Sequence, residues 1–220
     1  MTEIKICGIT SLEDARMAAV AGANALGFVF YPESPRYVTP ERSRGITSLL
    51  PASISKVGVF VDCDASEVKS IFRYCRLDFI QLHGRESPDY CRRFAPSALL
   101  KAVALRSEAD LVALGEYPVK AIVVDACDPG SPGGTGKTAD WDLAKRAGEK
   151  CALILAGGLH SGNVRAAIEF VRPRAVDIAS GAEARPGKKD PEKLRAFVAA
   201  VRGPGPADSP ARTGRIFQRG

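Results

Sequence analysis

The chain has 220 residues, 45% of them apolar and 25% charged, with a net charge of +6. That is enough chain for one domain burying roughly 70% of its unfolded surface, and no apolar run reaches the ~18 residues of a membrane span. Residues 203–220 supply +2 of the charge, and the +4 left over 202 residues is too diffuse for a nucleic-acid face but suits an anionic small molecule.

Met1 is followed by Thr2-Glu3-Ile4-Lys5, with neither a basic segment nor a long apolar one. No signal peptide is expected, which places the chain in the cytoplasm. The first apolar run, 4–7, stops at Cys7 and Gly8, and a helical pattern over 11–21 follows with Ser11 able to cap it. The second run, 25–30, leads into a Pro-rich loop, 31–38, and a helix over 39–50 with Pro40 in its first turn. The third, 56–61, precedes a helix over 65–75 behind Asp64. The fourth, 79–82, precedes a helix over 86–94, and the fifth, 99–103, a helix over 107–114. The sixth, 121–125, opens into a Gly/Pro loop, 126–138, before a helix over 140–148. The seventh, 151–155, is followed by Gly157-Gly158 and a helix over 161–171. The eighth, 175–179, is followed by Ser180-Gly181 and a last helix over 191–201.

Eight such units predict an α/β fold, a (β/α)8 TIM barrel forming a single domain over residues 1–202. Most of the runs are nearly continuous and apolar, as strands covered on both faces are. An open doubly-wound sheet uses the same units, but no strong G-x-G-x-x-G follows the first run. Residues 203–220 are rich in Gly and Pro and poor in apolar residues, and read as a disordered C-terminal tail.

In a barrel the C-terminal ends of the strands converge on one face, where chemistry is done. Those ends carry Cys7, Arg36, Asp125, Gly157-Gly158 and Ser180-Gly181. The glycines after runs seven and eight let backbone N–H groups approach an anion and Ser180 adds a hydroxyl, so Gly157, Gly158, Ser180 and Gly181 are the candidate phosphate site. Either glycine pair alone could be just a tight turn. Arg36, in a loop stiffened by Pro32 and Pro35, can clamp a carboxylate with two parallel hydrogen bonds, or be a solvated arginine. Asp125 closes an apolar run, where partial desolvation favours its protonated form and suits a general acid, or it caps a helix. Cys7 is the complementary candidate base, if a cation such as Lys5 draws its pKa down, and otherwise one of six small buried thiols.

The six cysteines show no C-x-x-C spacing and only His83 and His160 could join them, so no metal site is expected. The stretch Ser131-Pro132-Gly133-Gly134-Thr135-Gly136-Lys137-Thr138 ends like a phosphate-binding loop, but Ser131 stands where the first glycine is required. It reads instead as a glycine-rich lid.

Taken in order, these residues resemble the phosphoribosylanthranilate isomerase family of tryptophan biosynthesis. The resemblance rests on Lys5-Ile6-Cys7-Gly8-Ile9-Thr10, Gly22-Ala23-Asn24-Ala25-Leu26-Gly27-Phe28-Val29-Phe30, Ser34-Pro35-Arg36-Tyr37-Val38, Val57-Gly58-Val59-Phe60 and Gln81-Leu82-His83-Gly84. It continues through Gly133-Gly134-Thr135-Gly136-Lys137-Thr138 with Asp140-Trp141, Ala156-Gly157-Gly158-Leu159, Ser180-Gly181-Ala182-Glu183 and Pro186-Gly187-Lys188-Lys189-Asp190. It covers residues 3–201, and each motif is weak where the ordered set is specific. The resemblance implies a barrel without metal or cofactor that converts N-(5-phosphoribosyl)anthranilate to 1-(2-carboxyphenylamino)-1-deoxyribulose 5-phosphate by an Amadori rearrangement. It implies Asp125 as general acid, Cys7 as general base, Arg36 on the anthranilate carboxylate, and the two glycine turns with Ser180 on the phosphate. The expected partner is this phosphorylated small molecule, with no nucleic acid or membrane, in a monomer or homodimer. Ala179, Ala182 and Ala139 depart from residues common in the family, and none of these departures falls on Cys7, Asp125 or Arg36.

Overall fold

Strand β1, Glu3–Cys7, sets the geometry of the whole molecule. Its side chains alternate: Ile4 and Ile6 pack outward among the helices, while Glu3, Lys5 and Cys7 point into the barrel. In the computed structural model, which describes residues 1–125, 140–203 and 215–218, seven further strands close the ring. They are β2 Ala25–Val29, β3 Ser55–Phe60, β4 Phe79–Leu82, β5 Leu99–Val103, β6 Ala121–Val124, β7 Leu153–Leu155 and β8 Ala175–Ile178. All neighbours pair in parallel and β8 returns to β1, so the expected closed barrel is the fold.

The helices are α1 Leu12–Ala21, α2 Pro40–Thr47, α3 Ala65–Tyr74, α4 Pro88–Cys91, α5 Glu108–Ala113, α6 Trp141–Lys150, α7 Val164–Val171 and α8 Pro191–Arg202. Side-chain caps fix many of the starts. Ser11, Thr39, Asp64, Asp140 and Asp190 each accept a hydrogen bond from an N–H of the first turn. The fourth helix differs from expectation, with one turn where residues 86–94 were predicted. Glu86 is withdrawn from it because its buried carboxylate accepts from Asp62 N and Gly84 N and pairs with Lys101 at 3.0 Å. The loop expected to form a lid, 126–138, lies outside the described residues.

Among the described residues two large apolar regions result, with a small third one of Cys7, Val29 and Val59. One fills the shell between barrel and helices. The other lies inside the barrel towards its base and contains Val57, Phe79, Leu100, Val123, Ile154, Ile216 and Phe217. The last two come from the segment expected to be disordered. They are buried because the barrel base would otherwise leave Phe79 and its neighbours open to water. Phe217 meets the Phe79 ring edge-on at 5.9 Å. The Glu3 carboxylate accepts from Ile216 N at 2.6 Å and from Phe217 N at 3.3 Å. Ser55 Oγ donates to Phe217 O, and Lys120 Nζ donates to Gln218 O. Burying two large apolar side chains contributes about 3–6 kcal/mol, comparable to the ~4–8 kcal/mol of ordering four residues. The charge-assisted bonds to Glu3 therefore decide whether the segment docks.

Candidate active site

The C-terminal ends of the strands enclose a cavity. Its lining includes Cys7, Arg36, Gln81, His83, Asp125, Gly157, Gly158, Asp177 and Ser180. Six of the seven sequence-predicted site residues thus meet in one space. Gly181 does not line it. A side chain there would strike Leu159 O at 2.1 Å, so this glycine lets the turn after β8 pack against the loop after β7. Gly157 and Gly158 both have positive φ, +79° and +63°, a conformation that lets successive backbone N–H groups form an anion cradle. Ser180 follows in a short 3-10 turn, 180–182.

Cys7 is the last residue of β1, opposite Gly27 of β2. A Cβ at Gly27 would come within 2.7 Å of Sγ, so the bare backbone there makes room for the thiol. Two buried lysines act on the thiol electrostatically, each held by a carboxylate. Lys5 Nζ donates to Asp177 at 2.6 Å, directly across the β1–β8 pairing. Lys189 Nζ donates to Glu183 at 2.9 Å. Burial works against the charge on Lys5, yet Asp177 and Cys7 outweigh it and its pKa is raised. For Lys189 burial prevails and the pKa is lowered. For Cys7 burial also dominates: it pushes the thiol up, against the opposing pull of Lys5 and Lys189. Burial thus works against Cys7 as a ready-made base.

Asp125 follows β6, is largely buried, and faces His83 Nε2 at 3.1 Å. His83 follows β4, and Gln81 of that strand donates its amide to His83 Nδ1 at 2.9 Å. With the Gln81 amide donating, Nδ1 is the acceptor and the Nε2 edge of the ring faces the Asp125 carboxyl group. Gln81, His83 and Asp125 thus form a short chain across one wall of the cavity.

Arg36 reaches in from the loop after β2. Its backbone N–H donates to Ser34 Oγ, and its stem lies across Gly8, where a Cβ would come within 2.6 Å of Arg36 Cδ. Its guanidinium donates from Nε and Nη2 to the two oxygens of Glu183, at 2.9 and 2.8 Å. Arg36 is therefore no solvated arginine.

Sequence reasoning gave no role to Asp177, Lys189, Glu183, Gln81 or His83. A signal for Asp177 was present: it is a charged residue inside an apolar strand, in phase with the interior. Lys189 and Glu183 carry no comparable signal. They belong to a hairpin, β9 Glu183–Arg185 with β10 Lys188–Lys189, that alternation does not announce.

Known proteins resemble this chain along almost its whole length. A family model described as N-(5'phosphoribosyl)anthranilate (PRA) isomerase matches residues 4–200. The N-(5'-phosphoribosyl)anthranilate isomerase of Syntrophus aciditrophicus is 54% identical over 202 residues, covering 92% of this chain and 88% of its own. That of Geobacter sulfurreducens is 47% identical, covering 92% and 100%. Among solved structures, phosphoribosyl anthranilate isomerase from Thermotoga maritima superposes with a TM-score of 0.86 at 43% identity, covering 92% of this chain and all of that one. A structure described as the isomerase in complex with reduced 1-(o-carboxyphenylamino)-1-deoxyribulose 5-phosphate superposes at 0.82 and 41% identity, with the same coverage.

Proposed function

The chain belongs to the N-(5'-phosphoribosyl)anthranilate isomerase family, and from that premise we propose how its cavity carries out the Amadori rearrangement in tryptophan biosynthesis. The substrate is an aminoaldose in a furanose ring, with a phosphate at one end and an aromatic carboxylate at the other. The Gly157-Gly158 cradle and Ser180 take the phosphate, and Arg36 takes the carboxylate. Asp125 protonates the ring oxygen, the C1–O bond breaks, and the nitrogen lone pair forms a protonated Schiff base at C1. Cys7 then removes the proton from C2, and the C2–H electrons move to the C1–C2 bond as the Schiff base is neutralised. The enolamine takes up a proton at C1, loses the proton of its C2 hydroxyl and becomes the 1-amino-1-deoxyketose.

The observation that carries this reading is that Cys7 and Asp125 line one cavity together with Arg36, the Gly157-Gly158 turn and Ser180. Each residue has local support. His83 Nε2–H stabilises the Asp125 carboxylate formed as the ring opens. Burial pushes the Cys7 thiol up, so Cys7 serves as the base only in its thiolate form, which Lys5, Lys189 and the positive charge of the Schiff base favour. The whole reaction consists of proton transfers and an internal redistribution of electrons, so no redox partner enters it. All the assigned groups come from one chain, so a monomer or a homodimer can perform it, with the phosphorylated small molecule as the partner.

The test is consumption of N-(5-phosphoribosyl)anthranilate by purified protein without added metal, followed by loss of substrate fluorescence. Turnover is expected, and its absence in protein with an intact Cys7 thiol would contradict the reading.

A further inference from the structure

We propose that Glu183 is the positioning residue that sets the enzyme's preference for a carboxylated aromatic amine, by fixing which edge of Arg36 faces the substrate. This rests on the reading of Arg36 as the carboxylate clamp.

The Glu183 carboxylate is buried and fully engaged. Oε1 accepts from Arg36 Nε at 2.9 Å, Lys189 Nζ at 2.9 Å and Gly187 N at 3.3 Å, and Oε2 accepts from Arg36 Nη2 at 2.8 Å. Its backbone is anchored too, since Lys193 Nζ donates to Glu183 O at 2.7 Å. Burial alone would raise this carboxyl's pKa, but Arg36 and Lys189 outweigh it and hold it below its ordinary value. Glu183 thus stays charged and keeps its grip on Arg36.

The consequence for Arg36 is geometric. A guanidinium offers a carboxylate two forks, one from Nε with one terminal nitrogen and one from both terminal nitrogens. Glu183 occupies the first. The second, the Nη1–Nη2 fork, is not used by Glu183 and is the one left for substrate, while the stem lies close over Gly8. The charges agree. With Lys189 protonated, Arg36, Lys189 and Glu183 hold one positive charge in excess, the complement of a single carboxylate. A substrate with a neutral ring leaves that charge unmatched in a largely buried place, which is how a site rejects an analogue lacking a polar group.

The experiment compares kcat/KM for N-(5-phosphoribosyl)anthranilate with that for N-(5-phosphoribosyl)aniline, which lacks the carboxylate. The proteins are wild type, Arg36→Ala, Glu183→Gln and Glu183→Asp, each checked for a folded far-UV spectrum. Wild type is expected to prefer the carboxylated substrate and Arg36→Ala to lose that preference. Glu183→Gln should lower it roughly 10- to 100-fold, chiefly through KM, and Glu183→Asp should fall between. Glu183→Asp reads the same ratio should Glu183→Gln not fold. A purely structural role would depress both substrates alike and leave the ratio at the wild-type value. That result, with the preference lost in Arg36→Ala, would overturn the role of Glu183 alone. A preference that survives in Arg36→Ala would overturn the clamp and the inference together.

Discussion

At the top of β1, Cys7 lies in a cavity between two buried lysine–carboxylate pairs. At the foot of the same strand, Glu3 holds the backbone of Ile216 and Phe217 under a layer of apolar side chains. Both ends contain a buried carboxylate, yet they use it differently. At the top the carboxylates hold cations, and the cavity stays polar and open to a ligand. At the base the carboxylate holds backbone N–H groups, and the space is filled by the chain's own Phe217. Lys5, midway between them and paired with Asp177, belongs to the layer that separates reactive space from packing space. The difference teaches that one strand with a period of two can serve stability at one end and chemistry at the other, because the barrel isolates its layers.

Changes at the top should therefore cost activity with little stability, and changes at the base the reverse. The largest effect is expected for Cys7→Ser and Asp125→Asn, which should each lower kcat by roughly 10²–10⁴-fold while the melting temperature stays within a few degrees. A steady-state assay beside calorimetry checks both halves, and a large fall in melting temperature would blur the division. Lys5→Met should break it in a defined way. It leaves Asp177 buried without its cation, and Asp177 Oδ1 already has no hydrogen-bond partner among the described residues. Chemical denaturation should show a loss of about 3–5 kcal/mol, and kcat should fall as well because Cys7 loses a neighbouring cation. A variant of full stability would mean that the pair does not hold the middle layer.

At the base, Phe217→Ala should cost about 1.5–3 kcal/mol, the value of burying one large apolar side chain, with kcat unchanged. Denaturation curves without any shift would show that the segment does not stay docked in solution. The smallest effect is a pH dependence. Burial raises the Cys7 thiol above its ordinary value of 9.0. Alkylation of Cys7 in the free enzyme, followed by peptide mass spectrometry, should keep accelerating past pH 9. A plateau near pH 7 would mean that the lysines outweigh burial.

Much of this was legible in the sequence. Apolar runs alternating with amphipathic stretches specify eight strand–helix units, and period and caps locate most of their ends. Cys7, Arg36, Asp125, Gly157, Gly158 and Ser180 could be placed at one face because strand ends converge in a barrel. Besides the Lys189–Glu183 pair, three things were not legible, for physical reasons. The fourth helix is cut short by Glu86, whose partner Lys101 is remote in sequence. Gly181 has the look of an anion-binding glycine, and its close packing against the loop after β7 is a contact between turns remote in sequence. The segment at Ile216–Phe217 has the composition of a loose tail, and what holds part of it is a cavity floor assembled from several strands. Composition reports what a segment carries and not the surface waiting for it.

The most direct test of the division between the ends places three proteins in one fluorescence assay: wild type, Cys7→Ser, and a chain ending at Gly203. The account predicts that the shortened chain turns over N-(5-phosphoribosyl)anthranilate at the wild-type kcat, while Cys7→Ser is slower by roughly 100-fold or more. Near-normal turnover by Cys7→Ser would contradict it.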